Sequence, residues 1–325
     1  MLRVTYFHRS KKNGYSINKV TQSLIREIPN KKEYYVPRSR ASLFDIIANL
    51  RFVRKNRDRG GINHITGDIH YCILALVGCK SVLTVHDTVL VDYLPGSWLK
   101  KKIFEWLWYR IPLKLATKVV CISESTRKSL SRYTDRKDMV VVHNAIDPTF
   151  RKEEPPHNTV PRILIIGTNP NKNVERTLRA LSGTPCHVTI IGKLSRDQEA
   201  LLADLKIDYS CKSDLTDGQI VEEYAACDIV SFVSLFEGFG MPVIEANAVG
   251  RPIVCSSIEV LREIAGDAAL FVNPHSVEDI RNSFSRLIHD SDLQKDLVRK
   301  GFENIRRFDP REQGARLLSV YESVQ

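Results

Sequence analysis

Short apolar runs alternate with longer stretches of helical period along nearly the whole chain. In the first half the runs at 2–7, 61–65, 81–85, 118–122 and 139–142 predict strands, with helices between them, as around 17–28. The second half repeats the order, with strands expected at 162–167, 187–192, 229–235 and 252–255. Alternation of this kind implies parallel sheets covered by helices on both faces, so the fold class is α/β with two Rossmann-like domains. Between the two sets lies Asp147-Pro-Thr-Phe-Arg-Lys-Glu-Glu-Pro-Pro-His-Asn-Thr-Val-Pro161, rich in proline and charge as suits a linker. The domains are therefore expected at 1–150 and 151–305, with a last segment at 306–325. Ligands in such folds bind at the carboxyl ends of the strands, so two such domains facing each other leave a cleft.

Length agrees with two domains, since 325 residues exceed one typical core. No apolar run of membrane-spanning length is present, and the N-terminus runs directly into a charged segment without a signal-like apolar region. The seven cysteines, at 72, 79, 121, 186, 211, 227 and 255, form no Cys-x-x-Cys pair and mostly sit in apolar runs. They read as reduced core thiols of a cytoplasmic protein. Net charge is +10, but the halves differ: residues 1–150 hold 27 Lys and Arg against 12 Asp and Glu, whereas 151–325 hold 21 against 26. A basic first half expects an anionic partner, and on charge alone nucleic acid and an anionic membrane surface both qualify. No RNA-binding or helix-turn-helix signature accompanies the charge, which leaves nucleic acid the weaker of the two.

The most informative stretch is Ser234-Leu-Phe-Glu237-Gly238-Phe239-Gly240-Met241-Pro242-Val-Ile-Glu245-Ala-Asn. A buried strand precedes it, and proline near a helix start opens the helix that follows. The loop thus ends at a helix N-terminus, where unpaired amides and the helix dipole favour a phosphate. Gly238 and Gly240 let the backbone approach a ligand. Glu245, expected in the first turn, would be repelled by a docked phosphate, so its partners are more plausibly hydroxyls, such as those of a ribose. Taken alone, such glutamates are usually a solvated loop acid and a helix-dipole acid.

The whole pattern, two glutamates separated by seven residues with Gly-Phe-Gly-Met-Pro between, closely resembles the signature of retaining family 4 glycosyltransferases of the GT-B fold. By resemblance Glu237 lies near the transferred sugar, the amides from Gly238 to Met241 contact sugar and phosphate, and Glu245 holds the nucleotide ribose. A second segment, Gly167-Thr168-Asn-Pro-Asn171-Lys172-Asn173, is similar to the family's donor diphosphate loop. The resemblance implies that Lys172 neutralises the leaving diphosphate while Thr168, Asn173 and the helix amides bind it. Asn171 stands where the family has Arg or Glu.

In the first domain Asn63-His64-Ile-Thr-Gly67-Asp68-Ile-His70-Tyr71 and Leu83-Thr84-Val-His86-Asp87 resemble family segments at the cleft. His86 is a candidate contact of the transferring sugar or the acceptor, with Asp87 orienting it. Without the family it reads as a structural histidine, as His64 and His70 do. Gly14 and Ser16 match the acceptor-side first loop. Further matches are Ile122-Ser-Glu124, His143-Asn144-Ala-Ile-Asp147, Glu263-Ile-Ala-Gly-Asp267 and Phe308-Asp-Pro-Arg-Glu, the last opening a helix that in this family crosses back to the first domain.

The resemblance implies a retaining, metal-independent hexosyltransferase that uses a nucleotide-diphosphate sugar as co-substrate and needs no cofactor. The acceptor is then a saccharide or lipid-linked saccharide of polysaccharide synthesis. A catalytically silent scaffold of the same fold, another GT-B enzyme such as an epimerase or phosphorylase, and a basic nucleic-acid-binding protein are the alternatives. The segment 98–111 holds all three tryptophans. At about 100° per residue, Leu99, Ile103, Trp106, Leu107 and Ile111 share one arc, and Lys101, Lys102, Glu105, Trp98, Trp108 and Tyr109 the other. Aromatics interleaved with lysines on an outer arc suit a membrane interface on the inner face of the cell membrane, and a core helix with its outer aromatics under loops is the other reading.

Overall fold

The computed structural model describes residues 2–11, 15–26, 28–89 and 97–325. The chain forms two compact units, Met1–Ala145 with Asp309–Gln325, and Ile146–Phe308.

The first unit carries six parallel strands, β1 (Val4–His8), β2 (Lys31–Tyr35), β3 (Ile62–Ile65), β4 (Lys80–Val85), β5 (Lys118–Cys121) and β6 (Val140–Val141), in the order β2-β1-β3-β4-β5-β6. Successive side chains go to opposite faces, and both faces are apolar because helices cover both. Phe7, Ile65, Leu83, Val85 and Val119 enter one core layer. Val4, Tyr6, Ile62, Val82 and Val120 enter the other, where they meet Leu317, Val320 and Tyr321 of the C-terminal helix Pro310–Glu322. Asp309 caps that helix, its carboxylate accepting the amides of Arg311 and Glu312. The Tyr321 hydroxyl lies 2.8 Å from that of Tyr6 and 2.7 Å from His64 Nδ1. His64 Nε2 meets Thr84 Oγ1 at 2.7 Å, so this histidine is engaged at both nitrogens within the core.

The second unit repeats the plan with β7 (Arg162–Ile166), β8 (His187–Ile191), β9 (Asp208–Lys212), β10 (Ile229–Phe232), β11 (Ile253–Ser256) and β12 (Leu270–Val272), again all parallel, in the order β12-β11-β10-β7-β8-β9. The expected α/β class with two Rossmann-like sheets is what the structure has. From β7 the chain winds outward to β8 and β9, and from β10 the opposite way to β11 and β12. The crevice between the carboxyl ends of β7 and β10 is thus a topological switch point, the usual place for a ligand in such sheets.

The helical region after β4 departs from expectation. Helix Trp98–Phe104 continues through a wide, π-type turn at Glu105–Arg110 into helix Ile111–Leu115. Trp108 and Tyr109, expected on the outer arc, are buried, whereas Leu99, Ile103 and Trp106 of the apolar arc are 62%, 54% and 55% exposed. The wide turn is the physical reason for the tail of this change, since each extra residue per turn shifts the angular phase of everything after it. Buried Glu105 anchors that turn between Arg110 Nε at 2.5 Å and Lys102 Nζ at 3.2 Å, and these cations hold its carboxyl below the usual range against the opposing effect of burial. Trp108 stacks on Phe104, with ring centroids 4.7 Å apart, and packs on Tyr71.

Candidate functional site

The two loops singled out in the second half meet at the switch point of the second sheet. Gly167 directly follows β7 with φ +85°, and a Cβ there would lie 3.1 Å from Lys172 Cγ and Cε, so its absence lets the lysine stem pass over the strand end. The next residues make one short 3-10 turn, Pro170–Lys172, and Asn173, at φ 56°, starts helix Val174–Leu181. This bend returns Lys172 toward the loop after β10. Its Nζ lies 2.6 Å from Glu237 Oε1 and 4.7 Å from the Phe232 ring centroid.

Neighbouring backbone fixes the encounter. The Leu235 amide donates to the Asn171 carbonyl at 2.7 Å, and the Asn171 side-chain amide donates to the Phe236 carbonyl at 3.2 Å and approaches Glu237 Oε1 at 3.4 Å. The Asn173 side chain is buried; its amide donates to the carbonyls of Val233 (3.1 Å) and Pro274 (2.7 Å), and its oxygen accepts from Arg176. Asn173 therefore ties the loop after β7 to the end of β10 and spends its side chain on the scaffold. Thr168 Oγ1 donates to the Lys193 carbonyl at 2.7 Å.

Beyond Glu237 the loop turns inward. The Phe239 ring is buried edge-on against Phe308, 5.9 Å between centroids, so its side chain is spent on packing. Gly240 caps helix Met241–Val249 at φ +110°, and a Cβ on it would stand 2.4 Å from Leu261 Cδ2. Only glycine fits that position. Pro242 has no N–H, and the Val243 amide already bonds the Gly240 carbonyl at 3.0 Å. Glu245 is the fifth residue of the helix and so lies in its second turn, not the first, because the helix begins at Met241. The Tyr224 hydroxyl donates to Glu245 Oε2 at 2.6 Å. Tyr224 itself is fully buried, and burial beside that carboxylate raises its pKa well above the ordinary tyrosine value, so it stays a donor.

In the first unit His86 follows β4 and is buried, with Nε2 lacking any hydrogen-bond partner. Burial, ahead of all other influences, lowers its pKa to about 4, so the ring is neutral at pH 7. It lines a small cavity with Thr66, Thr84 and Asn144. The Asp87 carboxylate accepts the Val89 amide at 3.0 Å, which makes it a turn-forming group. Gly14 lies outside the described residues, and Ser16 is placed in the first turn of helix Tyr15–Ile25.

The sequence signals therefore join Lys172, Glu237 and the Gly238–Met241 backbone in one site. They did not find Tyr224, twenty-one residues before the glutamate it holds, or the contribution of Asn171. No local pattern marks a tyrosine whose role is set by packing between two helices. A charged pair at the first unit's own switch point, Arg9 and Asp68 at 2.8 Å after β1 and β3, was also missed.

Comparison with known proteins covers both units. The family description "Glycosyltransferase Family 4" matches residues 4–150, and "Glycosyl transferases group 1" matches residues 147–304. The O-antigen chain mannosyltransferase RfbU of Salmonella typhimurium is 24% identical over 241 residues, covering 71% of this chain and 66% of its own length. An O-antigen chain mannosyltransferase B of Escherichia coli is 33% identical over 85 residues, or 26% of this chain and 22% of its own. The match thus spans less than two thirds of either relative. Among solved structures, a sucrose-phosphate synthase from Thermosynechococcus elongatus superposes with a TM-score of 0.81 at 14% identity, covering 99% of each chain. The Anabaena protein Alr3699/HepE, solved in complex with UDP, gives 0.80 at 13% identity over 99% of this chain and 100% of that one.

Proposed function

The chain belongs to the group 1, family 4 glycosyltransferases and has their GT-B fold, and from that premise we propose that it moves a sugar from a nucleotide-diphosphate donor to an acceptor hydroxyl with retention at the anomeric carbon. The observation that carries this reading is the meeting of Lys172, Glu237 and the glycine-rich helix start at the β7/β10 switch point. A lysine, a glycine-lined backbone and a helix N-terminus suit a diphosphate, and they supply its countercharge without a metal ion. Glu245, held by Tyr224, is suited to accept the hydroxyls of a ribose.

In the reaction the acceptor oxygen bonds to the anomeric carbon on the face from which the diphosphate departs. The carbon–oxygen bond to the diphosphate breaks, and the acceptor's proton passes to the leaving phosphate oxygen. Lys172 offsets the charge that develops there. The relatives' names put mannose first among the sugars to test, and polysaccharide or lipid-linked oligosaccharide synthesis is the setting they suggest. His86, neutral and buried, is a candidate donor or acceptor of one hydrogen bond to the substrate.

The acceptor side of this reading is a membrane surface. Trp98, Leu99, Ile103 and Trp106 expose a contiguous apolar face on one helical segment that also carries Lys100, Lys101 and Lys102. Apolar rings that enter the interface, flanked by cations that meet anionic head groups, describe an interfacial helix. No helix among the described residues is long and apolar enough to cross a bilayer, so the reading is peripheral attachment. Liposome flotation with and without anionic lipid tests it: capture that rises with anionic lipid supports peripheral attachment, and absence of any dependence removes it. For the reaction, incubation with a panel of UDP-, GDP-, ADP- and dTDP-sugars, followed by NMR of the product anomer, is the direct experiment. Retained configuration supports the mechanism, and inverted configuration rejects it.

A further inference from the structure

At the switch point of the first sheet, a cavity of about 160 Å³ is lined by Arg9, Arg38, Arg40, Asp68, Tyr71 and Trp108, among others. We infer that this cavity binds the phosphate or diphosphate of a lipid, which makes the acceptor of the proposed transfer a hydroxyl-bearing saccharide carried on a lipid phosphate. The clause about the acceptor rests on the glycosyltransferase reading; the anion site does not.

Charge comes first. Three arginines line the cavity against one acidic residue, Asp68, whose carboxylate Arg9 already takes at 2.8 Å. Arg38 Nε stands 3.9 Å from Asp45, too far for a hydrogen bond, and Arg40 has no carboxylate partner among the described residues. Guanidinium forks match the paired oxygens of a phosphate. Size comes second. Pockets that enclose a whole drug-sized ligand run to roughly 300–1,000 Å³, so this one takes a head group and leaves the rest of the molecule outside.

The backbone frame of the cavity is held by buried hydrogen bonds. Asn49, fully buried, clamps the backbone of Arg38 from both ends of its amide, accepting the Arg38 N–H and donating to the Arg38 carbonyl, each at 3.1 Å, and it further donates to the Tyr71 hydroxyl at 2.8 Å. Opposite, the Trp108 indole N–H donates to the Asp68 carbonyl at 2.8 Å. The backbone that carries Arg38 and Asp68 is thereby fixed before any ligand arrives, which lowers the ordering cost of binding.

What continues from each wall identifies the source of the phosphate. The arginine-bearing wall runs directly into helix Leu43–Asn56, where Leu43 is 70% and Phe44 is 85% exposed. The tryptophan wall runs back into the segment that exposes Trp106 and Ile103. A cationic cavity whose two walls both lead to exposed apolar side chains fits a molecule with an anionic head and an apolar tail, and a free anion would make no use of the latter.

Isothermal titration with farnesyl diphosphate, inorganic pyrophosphate and farnesol tests the proposal on the full chain. Farnesyl diphosphate should bind, pyrophosphate more weakly, and farnesol not at all. Arg38→Gln and Arg40→Gln, both at exposed positions, should each weaken farnesyl diphosphate by about tenfold, as loss of a charge-assisted contact does. Arg40→Lys should restore part of the loss. Wild-type protein that does not bind farnesyl diphosphate, or glutamine variants that bind it as wild type does, would overturn the site. Pyrophosphate binding as tight as that of farnesyl diphosphate would overturn the lipid source. These titrations need no turnover, so they fail or succeed independently of the sugar-transfer assay.

Discussion

Lys172 Nζ stands 2.6 Å from Glu237 Oε1, so the cation proposed to meet a diphosphate is held by the acid proposed to meet the sugar. Both side chains are largely shielded from solvent, at 19% and 13% exposure. In the proposed reaction a diphosphate entering the site would compete with Glu237 for the lysine, and its arrival would free the carboxylate for sugar hydroxyls.

Two substitutions separate those roles. Lys172→Ala should lower turnover at saturating donor by about 10²–10³-fold, the usual loss when one preorganised stabiliser of transition-state charge is removed. Glu237→Gln should lower turnover as well, yet tighten binding of the nucleoside diphosphate product, because the competing carboxylate charge is gone. Steady-state kinetics and product-inhibition constants read both effects. Weaker product binding in Glu237→Gln would show that the pair does not compete with the ligand.

Tyr224→Phe removes the hydroxyl that orients Glu245 while keeping the buried ring, which packs edge-on against Phe150. Nucleotide affinity should fall by about tenfold, in keeping with a hydrogen bond to a charged group. The test is direct titration of nucleotide, with KM for donor rising and kcat nearly constant.

Gly240→Ala places a Cβ 2.4 Å from Leu261 Cδ2 on a backbone at φ +110°. Strain and overpacking together should cost about 2–4 kcal/mol of stability in the second unit. Denaturant unfolding measures it, and the neighbouring Gly238→Ala serves as the comparison.

Acid should loosen the first unit before the second. Burial holds the folded-state pKa of His86 at about 4 and that of His64 at about 3, against the ordinary value of 6.5. Depressed histidines contribute stability that is complete above pH 6.5 and is lost as pH falls toward the folded values, because the unfolded chain binds the proton more readily. For His86 alone the loss is on the order of 3 kcal/mol by pH 4. Unfolding free energy measured from pH 7 to 4 should fall along this window, and His86→Gln should flatten part of the slope.

Much of this architecture was legible from the sequence because buried parallel strands are continuous apolar runs. The strands that escaped notice are β2, β9 and β12. All three are sheet edges, and the first two, Lys-Lys-Glu-Tyr-Tyr and Asp-Tyr-Ser-Cys-Lys, are half exposed and polar, as an edge has to be to discourage pairing with other chains. The loop chemistry around Lys172 and Glu237 was visible since glycines, prolines and charges cluster locally. Tyr224, Asn49 and the arginine cavity were not, because each is assembled across the fold from residues that carry no pattern of their own. The tail of the helix after β4 failed for a different reason: a wide turn at Glu105–Arg110 broke the constant 100° period on which the placing of Trp108 and Tyr109 depended.

The central claim is that the β7/β10 crevice is a nucleotide-sugar site built on Lys172 and Glu245. Isothermal titration of UDP and GDP into wild type, Lys172→Ala and Glu245→Ala tests it most directly. The account predicts one site in the wild type for at least one of the two nucleotides, with affinity reduced about tenfold or more in each variant. Binding of equal strength in all three proteins, or no binding of either nucleotide to the wild type, would contradict it.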